Sequence, residues 1–458
     1  SNEIIINGGT FNGSMAPDGV SAGYVACGIY VANDDTVVVN GGTFNIADGV
    51  GIVARSGNTT VGANVVFNMN GNRNLGKIGD SRIVIPSGNA LVLDLAANYP
   101  GGDPTLTNNS SYQVAVVVEN VADVEANKSS ASKIILGADI AYNDYFDIVA
   151  DTTIDLNGHT LSTSACAWIY NGATLTLCDS AGGGKLLGTA TGSSGYAVYV
   201  LGTLNLLSGT IQADTYAVIN GGGTVNIAGG ELVAQAGIFQ NSGTSTVSGG
   251  AINAVSFGLV LNDGTATISG GTITTGETGA GVKIAGGTAN IEGGTISAKN
   301  GVLFPELSAD KVAAVNVTGG SINGTSFGIV NNGNNAYGTT MNISGGNISG
   351  AIGIYHAGRG TLAISGDAHI EGNTALYIKS GNVTIGENAE FEATLTTFEP
   401  YTYLANGCQA TGDAIVIDNC DYPGGNAVVQ INGENVNYIV AAEGAHPVAT
   451  YAPDNSGN

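Results

Sequence analysis

Aliphatic residues recur along this chain in a fixed relation to a pair of glycines. An aliphatic residue, one further residue, Gly-Gly, one more residue and a second aliphatic residue follow one another at 227–232, 268–273, 291–296, 317–322 and 343–348. With the second glycine as the reference position, the equivalents along the chain are His159, Gly184, Gly209, Gly230, Gly250, Gly271, Gly294, Gly320, Gly346, Asp367 and Asn388. Successive equivalents lie 20 to 26 residues apart. A period of this length indicates a solenoid, in which each turn of the chain stacks on the next.

Two aliphatic columns accompany the reference positions. The residues three positions before them are Leu156, Ala181, Leu206, Ile227, Val247, Ile268, Ile291, Val317, Ile343, Ile364 and Ile385. The residues two positions after them are Leu161, Leu186, Ile211, Leu232, Ile252, Ile273, Ile296, Ile322 and Ile348. In the last two coils the aliphatic or aromatic residue is shifted by one position, to Ile370 and Phe391. Polar residues alternate with these aliphatic ones, a period of two that is typical of strands. A third apolar stretch in each repeat, such as Gly258-Leu259-Val260, supplies another short strand.

The predicted fold class is therefore all-β. It is a parallel β-helix solenoid with three short strands per coil, in which the aliphatic columns form a continuous core. Strands of neighbouring coils would lie roughly 4.8 Å apart. A helical solenoid is excluded, because glycine interrupts every candidate helix within the repeats. The glycine-free run from Tyr112 to Lys133 lies outside them and is long enough for a short helix.

The two ends of the chain resemble each other at an offset near 324 residues. Gly28-Ile29-Tyr30 matches Gly353-Ile354-Tyr355, and residues 55–58 and 90–94 match 379–382 and 414–418. We predict four segments: 1–64, the final coils of a first β-helix; 65–125, a terminal β module; 126–390, a second, complete β-helix of about 11 coils; and 391–458, a second terminal β module with a tail. We expect the chain to begin and end within a tandem array of such units, so that neighbouring units of the same longer chain are its partners.

Composition narrows the class of partner. The net charge is −24 with only 12 lysines and arginines, which argues against nucleic acids and anionic membrane surfaces as partners. No apolar run reaches the length of a membrane-spanning helix, so no membrane span is expected. Hydrophobic residues make up 43% of the chain despite its 73 glycines, so we expect a folded core rather than disorder.

Two of the five cysteines stand out when the two ends are compared. Cys408 and Cys420 are both replaced in the first copy of the repeated block, by Val84 and by Ala96 or Ala97. Their joint absence there favours a disulfide between them. Two independent small core residues are the alternative.

A pair of stacked glutamates is the main candidate for chemistry. Glu371 and Glu392 each follow their reference position by four residues in consecutive coils, which places their Cα atoms roughly 5 Å apart. Carboxylates at this separation can bind a hard cation such as Ca²⁺, and retaining glycosidases use a similar distance. Glu390 is a third potential metal ligand, and Arg359 lies one strand upstream. The alternative is an exposed pair without a role.

The Gly-Gly-x-Ile coils and the phrase Ile154-Asp155-Leu156-Asn157-Gly158-His159-Thr160-Leu161 resemble right-handed parallel β-helix proteins of the pectate-lyase-like superfamily. Within it, the chain looks most like large, repetitive surface proteins of bacteria. The resemblance implies a right-handed coil and an extracellular or cell-surface location, and it admits lyases, hydrolases, adhesins and passenger domains. Of the polygalacturonase-like motifs only Asp-Asp occurs, as Asp34-Asp35. The calcium cluster and catalytic arginine of pectate lyases are approached only by Arg359 with Glu371 and Glu392.

The leading functional hypothesis is a non-catalytic extracellular or cell-surface module, a stalk or adhesin, with glycans or a host surface as its partner. Faces rich in Asn, Thr and Ser offer hydrogen bonds to sugars, and Tyr30, Tyr199 and Tyr355 are candidates for stacking on them. The alternative is a polysaccharide-active enzyme, a lyase or glycoside hydrolase, on the same fold. No cofactor is expected apart from Ca²⁺ at the glutamates.

A third hypothesis is an ice-binding solenoid, which requires an uninterrupted threonine ladder. Thr272 and Thr274 begin such a ladder, but Ala251 and Asn253 in the preceding coil do not continue it.

Overall fold

The computed structural model describes residues 2–14, 25–71, 76–77, 84–85, 87–97, 99, 101–129, 133–307, 311–331, 338–394, 403–405, 408–410, 414–418, 425, 427–435, 438–441 and 448–451. The chain forms two compact units, one of Ser1–Ala190 with Gly202–Gln212 and one of Thr191–Leu201 with Ala213–Asn458. Both are parallel β-solenoids, in which the strands of successive coils pair in parallel register. The predicted all-β solenoid is confirmed.

The first unit contains an α-helix, Val121–Asn127, and a set of short strands. These strands are Glu3–Ile6, Thr10–Gly13, Ala26–Val31, Thr36–Ala47, Gly49–Ala54, Asn58–Asn70, Gly76–Lys77, Val84–Ile85, Leu91–Asp94, Thr105–Asn108, Val114–Val118, Lys133–Leu136, Ile140–Tyr142, Phe146–Ile148, Thr152–Asp155, Thr160–Thr163, Ala167–Ile169, Thr174–Cys178, Lys185–Gly188, Thr203–Leu206 and Thr210–Gln212.

The second unit contains a 3₁₀ turn, Gly192–Ser194, and longer strands that bend at the corners of the coils. These strands are Tyr196–Val200, Tyr216–Ile227, Glu231–Val247, Ala251–Leu261, Thr265–Ile268, Thr272–Thr275, Ala280–Ile284, Gly287–Ile291, Thr295–Phe304, Ala313–Val317, Ser321–Asn331, Thr339–Ile343, Asn347–His356, Gly360–Ile364, His369–Ile378, Asn382–Ile385, Glu390–Ala393, Tyr403–Ala405, Cys408–Ala410, Ile415–Asp418, Val428–Ile431, Glu434–Asn435, Tyr438–Ala441 and Val448–Tyr451.

The predicted aliphatic columns form the core of the second unit. One column of paired residues runs Ile227, Val247, Ile268, Ile291, Val317, Ile343, Ile364 and Ile385. The other runs Leu232, Ile252, Ile273, Ile296, Ile322, Ile348, Ile370 and Phe391, with the predicted shift at its end. All of these side chains are almost completely buried. Each contributes about 1.5–3 kcal/mol of hydrophobic stabilisation, so neighbouring coils hold each other folded.

In the first unit one predicted column is wrong at two rungs. The paired residues are Ala54, Leu93, Val116, Ile134, Ile154, Leu177 and Leu206. Ile154 and Leu177 thus stand where Leu156 and Ala181 were predicted. The turn after Leu177 is the reason: nine positions separate Leu177 from Leu186, whereas five separate Ile227 from Leu232. Because this turn is longer, the residue three positions before Gly184, which is Ala181, lies inside the turn and not in the strand.

The reference glycines from Gly209 to Gly346 have a left-handed backbone. Gly271 has a φ of 72°, and a Cβ there would lie 2.7 Å from the carbonyl oxygen of Gly249 in the coil below. Both the left-handed conformation and this close approach exclude an ordinary side chain. Where the last coil has Asn388 in place of glycine, that residue keeps the left-handed conformation with a φ of 67°. Asparagine is one of the few other residues that tolerate it.

The repeated block uses the same register in both copies. In the first unit Ile52 pairs with Leu91, and in the second Leu376 pairs with Ile415. Leu376 lies 324 positions after Ile52, and Ile415 lies 324 positions after Leu91. In the first unit parallel pairing then continues from Leu91–Asp94 through the following strands, whereas in the second several antiparallel pairs are added. The internal duplication is therefore visible in the strand pairing, while the four segment boundaries stay a prediction.

The single helix of the described chain lies in the glycine-free run that the sequence singled out. Asn120 caps Val121–Asn127 by accepting a hydrogen bond from the backbone N–H of Asp123 at 3.0 Å. Among the residues that the structure describes, no helix is both long and apolar enough to cross a membrane.

Candidate functional site

The two stacked glutamates lie side by side, as predicted, and a histidine joins them. Glu371 pairs with Glu392, and His369 pairs with Glu390, on the parallel strands His369–Ile378 and Glu390–Ala393. The intervening Ile370 and Phe391 are buried, so the four polar side chains share the outward face. We call His369, Glu371, Glu390 and Glu392 the His369 cluster.

In the His369 cluster, all three carboxylates lie within 4 Å of an imidazole nitrogen. His369 Nδ1 lies 3.2 Å from a carboxylate oxygen of Glu390. His369 Nε2 lies 3.8 Å from Glu371 and 3.9 Å from Glu392. His369 was not among the ligands predicted from the sequence, although it lies 21 positions before Glu390, as Glu371 lies before Glu392. The spacing places His369 beside Glu390, but the turn of the imidazole toward Glu371 and Glu392 is a side-chain conformation that the spacing does not show.

The donor atoms of the His369 cluster are almost as close to one another as the ligands of a bound metal ion. One atom each from His369, Glu371 and Glu392 lie within 4.8 Å of one another. Ligands of a tetrahedral Zn²⁺ are about 3.4 Å apart, so small side-chain rotations would bring these atoms into range. A nitrogen donor favours a transition ion such as Zn²⁺, whereas Ca²⁺ takes oxygen ligands only. Glu390, predicted as a ligand, contacts the other imidazole nitrogen and would orient the ring.

The surroundings of the His369 cluster are open and polar. A depression of about 220 Å³ is lined by Ser349, Gly350, Glu371, Gly372, Asn373, Glu392 and Thr394. The side chain of Glu371 is 49% exposed and that of Glu392 is 62% exposed. Water therefore solvates both carboxylates, which weakens their mutual repulsion and their pull on a ligand.

Arg359 is not brought to the carboxylates. It lies just before the strand Gly360–Ile364, where its backbone carbonyl accepts a hydrogen bond from Thr339. Within the described part of the chain, the ion pairs of Glu371 and Glu392 are with His369. The arginine that the resemblance to pectate lyases implies is therefore not in contact with the glutamates.

The three tyrosines proposed as sugar platforms lie in different surroundings. Tyr30 is 38% exposed and its hydroxyl shares a 2.6 Å hydrogen bond with Tyr99. The phenol of Tyr199 lies over Gly221, where a Cβ would stand 2.6 Å from its oxygen.

Tyr355 is half-buried and packs in a row of aromatic rings. It contacts Phe327 at 5.4 Å and Tyr377 at 5.7 Å between centroids. A sugar ring would have to displace one of these neighbours to stack on a face of Tyr355.

A buried ion pair that was not predicted from the sequence lies next to Tyr30. Arg55 Nε is 2.8 Å from Asp94 Oδ2, and the guanidinium lies 5.5 Å from the Tyr30 ring centroid. Burial raises the pKa of Asp94, and the positive charge of Arg55 opposes that rise. The available signal was the repeated block, because Tyr30, Arg55 and Asp94 correspond to Tyr355, Lys379 and Asp418. Lys379 Nζ indeed lies 5.8 Å from the Tyr355 ring.

Burial decides the chemistry of the described cysteines. Cys27, Cys166 and Cys178 form no disulfide, and Cys166 is fully buried. Burial raises the pKa of Cys27 to about 12 and that of Cys178 to about 11, so both are protonated at neutral pH. The predicted Cys408–Cys420 disulfide lies outside the described residues, because the side chain of Cys408 and all of Cys420 are not described.

An in-register array of threonine and asparagine covers one sheet face of the second unit. Its rungs, each with two polar residues, are Thr224 and Asn226, Thr244 and Thr246, Thr265 and Thr267, and Thr288 and Asn290. We call these eight residues the Thr/Asn face. The threonine ladder at Thr272 is interrupted by Ala251, as predicted, and this second ladder was missed although threonine stands six positions before four consecutive reference glycines.

Hydrogen bonds link polar side chains of this face from one coil to the next. Thr244 donates to Thr224 at 3.4 Å in one column. In the column of Asn226 and Asn290, Asn342 donates to Asn316, which donates to Asn290, at 3.0 and 2.9 Å.

No protein-family model, curated protein or solved structure matches the chain.

Proposed function

We propose that the chain is a non-catalytic module of an extracellular or cell-surface protein, a stalk or adhesin that binds glycans. In this proposal the coil is right-handed with three strands, and the protein is a bacterial member of the pectate-lyase-like superfamily. Support for that assignment comes from the Gly-Gly-x-Ile coils and from the Ile154–Leu161 phrase.

The Thr/Asn face is the observation that carries the glycan proposal. Its rungs repeat every 4.8 Å or so across the strands, and the two polar residues of each rung are about 6.7 Å apart. A periodic row of hydroxyl and amide groups matches a ligand that is itself periodic, such as an extended neutral polysaccharide. The net charge of −24 disfavours acidic polymers.

The enzyme alternative is less well supported by the His369 cluster. A catalytic acid needs a carboxyl whose proton is held by burial or by a close like charge. Glu371 and Glu392 are about half or more exposed to water, and Arg359 does not contact them. Their spacing alone resembles that of a retaining glycosidase.

Co-sedimentation with insoluble neutral polysaccharides tests the glycan proposal. The variant Thr265→Val with Thr288→Val removes two hydroxyls from the Thr/Asn face with little change of shape. We expect it to lose retention several-fold. Thr272→Val with Thr295→Val is the matched control on another column and should be retained like the parent chain.

Equal retention of both double variants would contradict a role for the Thr/Asn face. Release of sugars from polyuronates or neutral glycans in the presence of Ca²⁺, abolished by Glu371→Gln, would instead establish the enzyme. Thermal hysteresis that disappears with Thr265→Val and Thr288→Val would establish the ice-binding hypothesis.

A further inference from the structure

Three aromatic side chains and one carboxylate form a corner on the outward face of the first unit. Tyr145, Asp147, Trp168 and Tyr170 lie on or beside the paired strands Phe146–Ile148 and Ala167–Ile169. We call these four residues the aromatic corner. The alternate residues of both strands are buried in the core, which fixes the backbone beneath the corner.

The rings are arranged around a corner and not as a single flat platform. Tyr145 and Trp168 are nearly perpendicular, at 78°, with centroids 5.9 Å apart. Trp168 and Tyr170 are inclined at 44° with centroids 6.2 Å apart. Tyr145 is 46% exposed and Tyr170 is 43% exposed, so a ligand can reach the ring faces from solvent.

Asp147 supplies negative charge at the same place. It pairs in register with Trp168, so both side chains point outward from adjacent strands. It also accepts a hydrogen bond from the Tyr170 hydroxyl, and its charge raises the pKa of that phenol. The carboxylate is therefore held at the hydroxyl end of Tyr170, close to rings whose faces carry partial negative charge themselves.

Several aromatic rings elsewhere in the described chain lie next to a cationic side chain of the protein. Arg55 lies 5.5 Å from the Tyr30 ring centroid, Lys283 lies 4.9 Å from Phe257, and Lys379 lies 5.8 Å from Tyr355. In the described structure neither Tyr145 nor Tyr170 takes part in such a contact. At the aromatic corner the charged neighbour is the carboxylate of Asp147 instead.

We propose that the aromatic corner binds a trimethylammonium group, as carried by choline. The methyl groups spread the positive charge over an apolar surface that fits against inclined ring faces, and Asp147 provides the counter-charge. A neutral sugar carries no positive charge to pair with Asp147 and favours a flat ring surface. This site lies in the first unit and does not depend on the Thr/Asn face.

Fluorescence provides a direct readout, because Trp168 is the only tryptophan of the chain. The full chain is titrated with choline chloride and with tetramethylammonium chloride at constant ionic strength set by NaCl. We expect a saturable change in emission with a dissociation constant on the order of 1 mM. The uncharged isostere 3,3-dimethyl-1-butanol should bind about tenfold more weakly, and glucose should have no effect.

Variants that keep the fluorophore assign the contacts. Tyr145→Ala, Tyr170→Ala and Asp147→Asn should each weaken choline binding about fivefold or more. Tyr170→Phe retains the ring and should bind nearly as well as the parent chain. Tyr355→Ala removes an aromatic ring from the second unit and should leave choline affinity unchanged.

Choline could be presented free or on a lipid. Co-sedimentation with phosphatidylcholine vesicles, alongside phosphatidylglycerol vesicles as a control, separates these two sources; binding to either form of choline supports the site. The proposal is overturned if choline causes no saturable change beyond that of NaCl, or if the uncharged isostere binds as tightly. It is also overturned if Asp147→Asn, with emission otherwise unaltered, keeps full affinity.

Discussion

Arg55 Nε donates a hydrogen bond to Asp94 Oδ2 across 2.8 Å, and both side chains are cut off from solvent, with exposures of 1% and 0%. The pair joins the end of the strand Gly49–Ala54 to the end of Leu91–Asp94, which are register neighbours. The Arg55 side chain also donates to the Tyr30 hydroxyl at 3.3 Å. One buried charged pair thus joins two neighbouring strands within the repeated block.

Removing one partner of this pair is expected to destabilise the chain strongly. Arg55→Met leaves the Asp94 carboxylate buried without its counter-charge, and we expect a loss of about 3–5 kcal/mol in the free energy of unfolding. Urea denaturation measures the loss. The double variant Arg55→Met with Asp94→Leu should recover most of it, because no uncompensated charge is left.

An exposed arginine provides the control for this experiment. Arg359 is exposed, so Arg359→Met should change the stability by no more than about 0.5 kcal/mol. Equal losses for Arg55→Met and Arg359→Met would show that the buried pair contributes no more than any surface charge.

His356 should make the stability depend on pH. It is fully buried beside Asn331, with its Nδ1 3.3 Å from the Asn331 amide nitrogen, and burial lowers its pKa from 6.5 to about 4. Above pH 6.5 the imidazole is neutral in both the folded and unfolded states. Between pH 6.5 and about 4 only the unfolded chain takes up the proton, so the free energy of unfolding falls as the pH falls.

The contribution of His356 is isolated by comparing the parent chain with His356→Asn. Integrated over the pH interval, the shift corresponds to about 3 kcal/mol. The parent chain should lose this amount between pH 7 and pH 4 in excess of the variant, as measured by denaturation at each pH. Parallel pH profiles for the two chains would mean that the imidazole titrates normally.

The His369 cluster should prefer a transition ion to calcium. Zn²⁺ is expected to raise the free energy of unfolding by about 2.7 kcal/mol when present at 100 times its dissociation constant, and a chelator should reverse the effect. His369→Ala removes the nitrogen donor and should abolish the response, whereas Glu390→Gln should only weaken it. Stabilisation by Ca²⁺ that survives His369→Ala would show that the carboxylates alone hold the ion.

The reference glycines should be intolerant of a side chain. Gly271→Ala places a Cβ 2.7 Å from the Gly249 carbonyl oxygen in a left-handed backbone, and we expect a loss of about 2 kcal/mol or more. Gly8→Ala is the matched control, since a Cβ there meets nothing within 4 Å. Thermal unfolding of both variants checks the difference. Chain entropy favours alanine at both positions, so a Gly8→Ala loss as large as that of Gly271→Ala would contradict the coil contact as the cause of the requirement.

Most of the fold could be predicted from the sequence, because each coil repeats the same local chemistry. Ile227 and Val247 occupy equivalent places after the same number of residues, so their pairing follows from the period. The prediction failed at Ala181, where the turn length changes and the period alone cannot show which residue re-enters the strand. A repeat can be counted only while its turns have equal lengths.

The sequence by itself determined the parallel coils, the two aliphatic columns and the stacking of Glu371 on Glu392. These features depend only on the number of residues between equivalent positions of consecutive coils. The tertiary structure alone decided that His369 joins the glutamates, that Arg55 is buried against Asp94, and that Trp168 stands between two tyrosines. Arg55 and Asp94 are 39 positions apart, which is not the period of the coils. The turn of an imidazole, a guanidinium or an aromatic ring toward its neighbours is a side-chain conformation, and only the packing of the folded chain decides it.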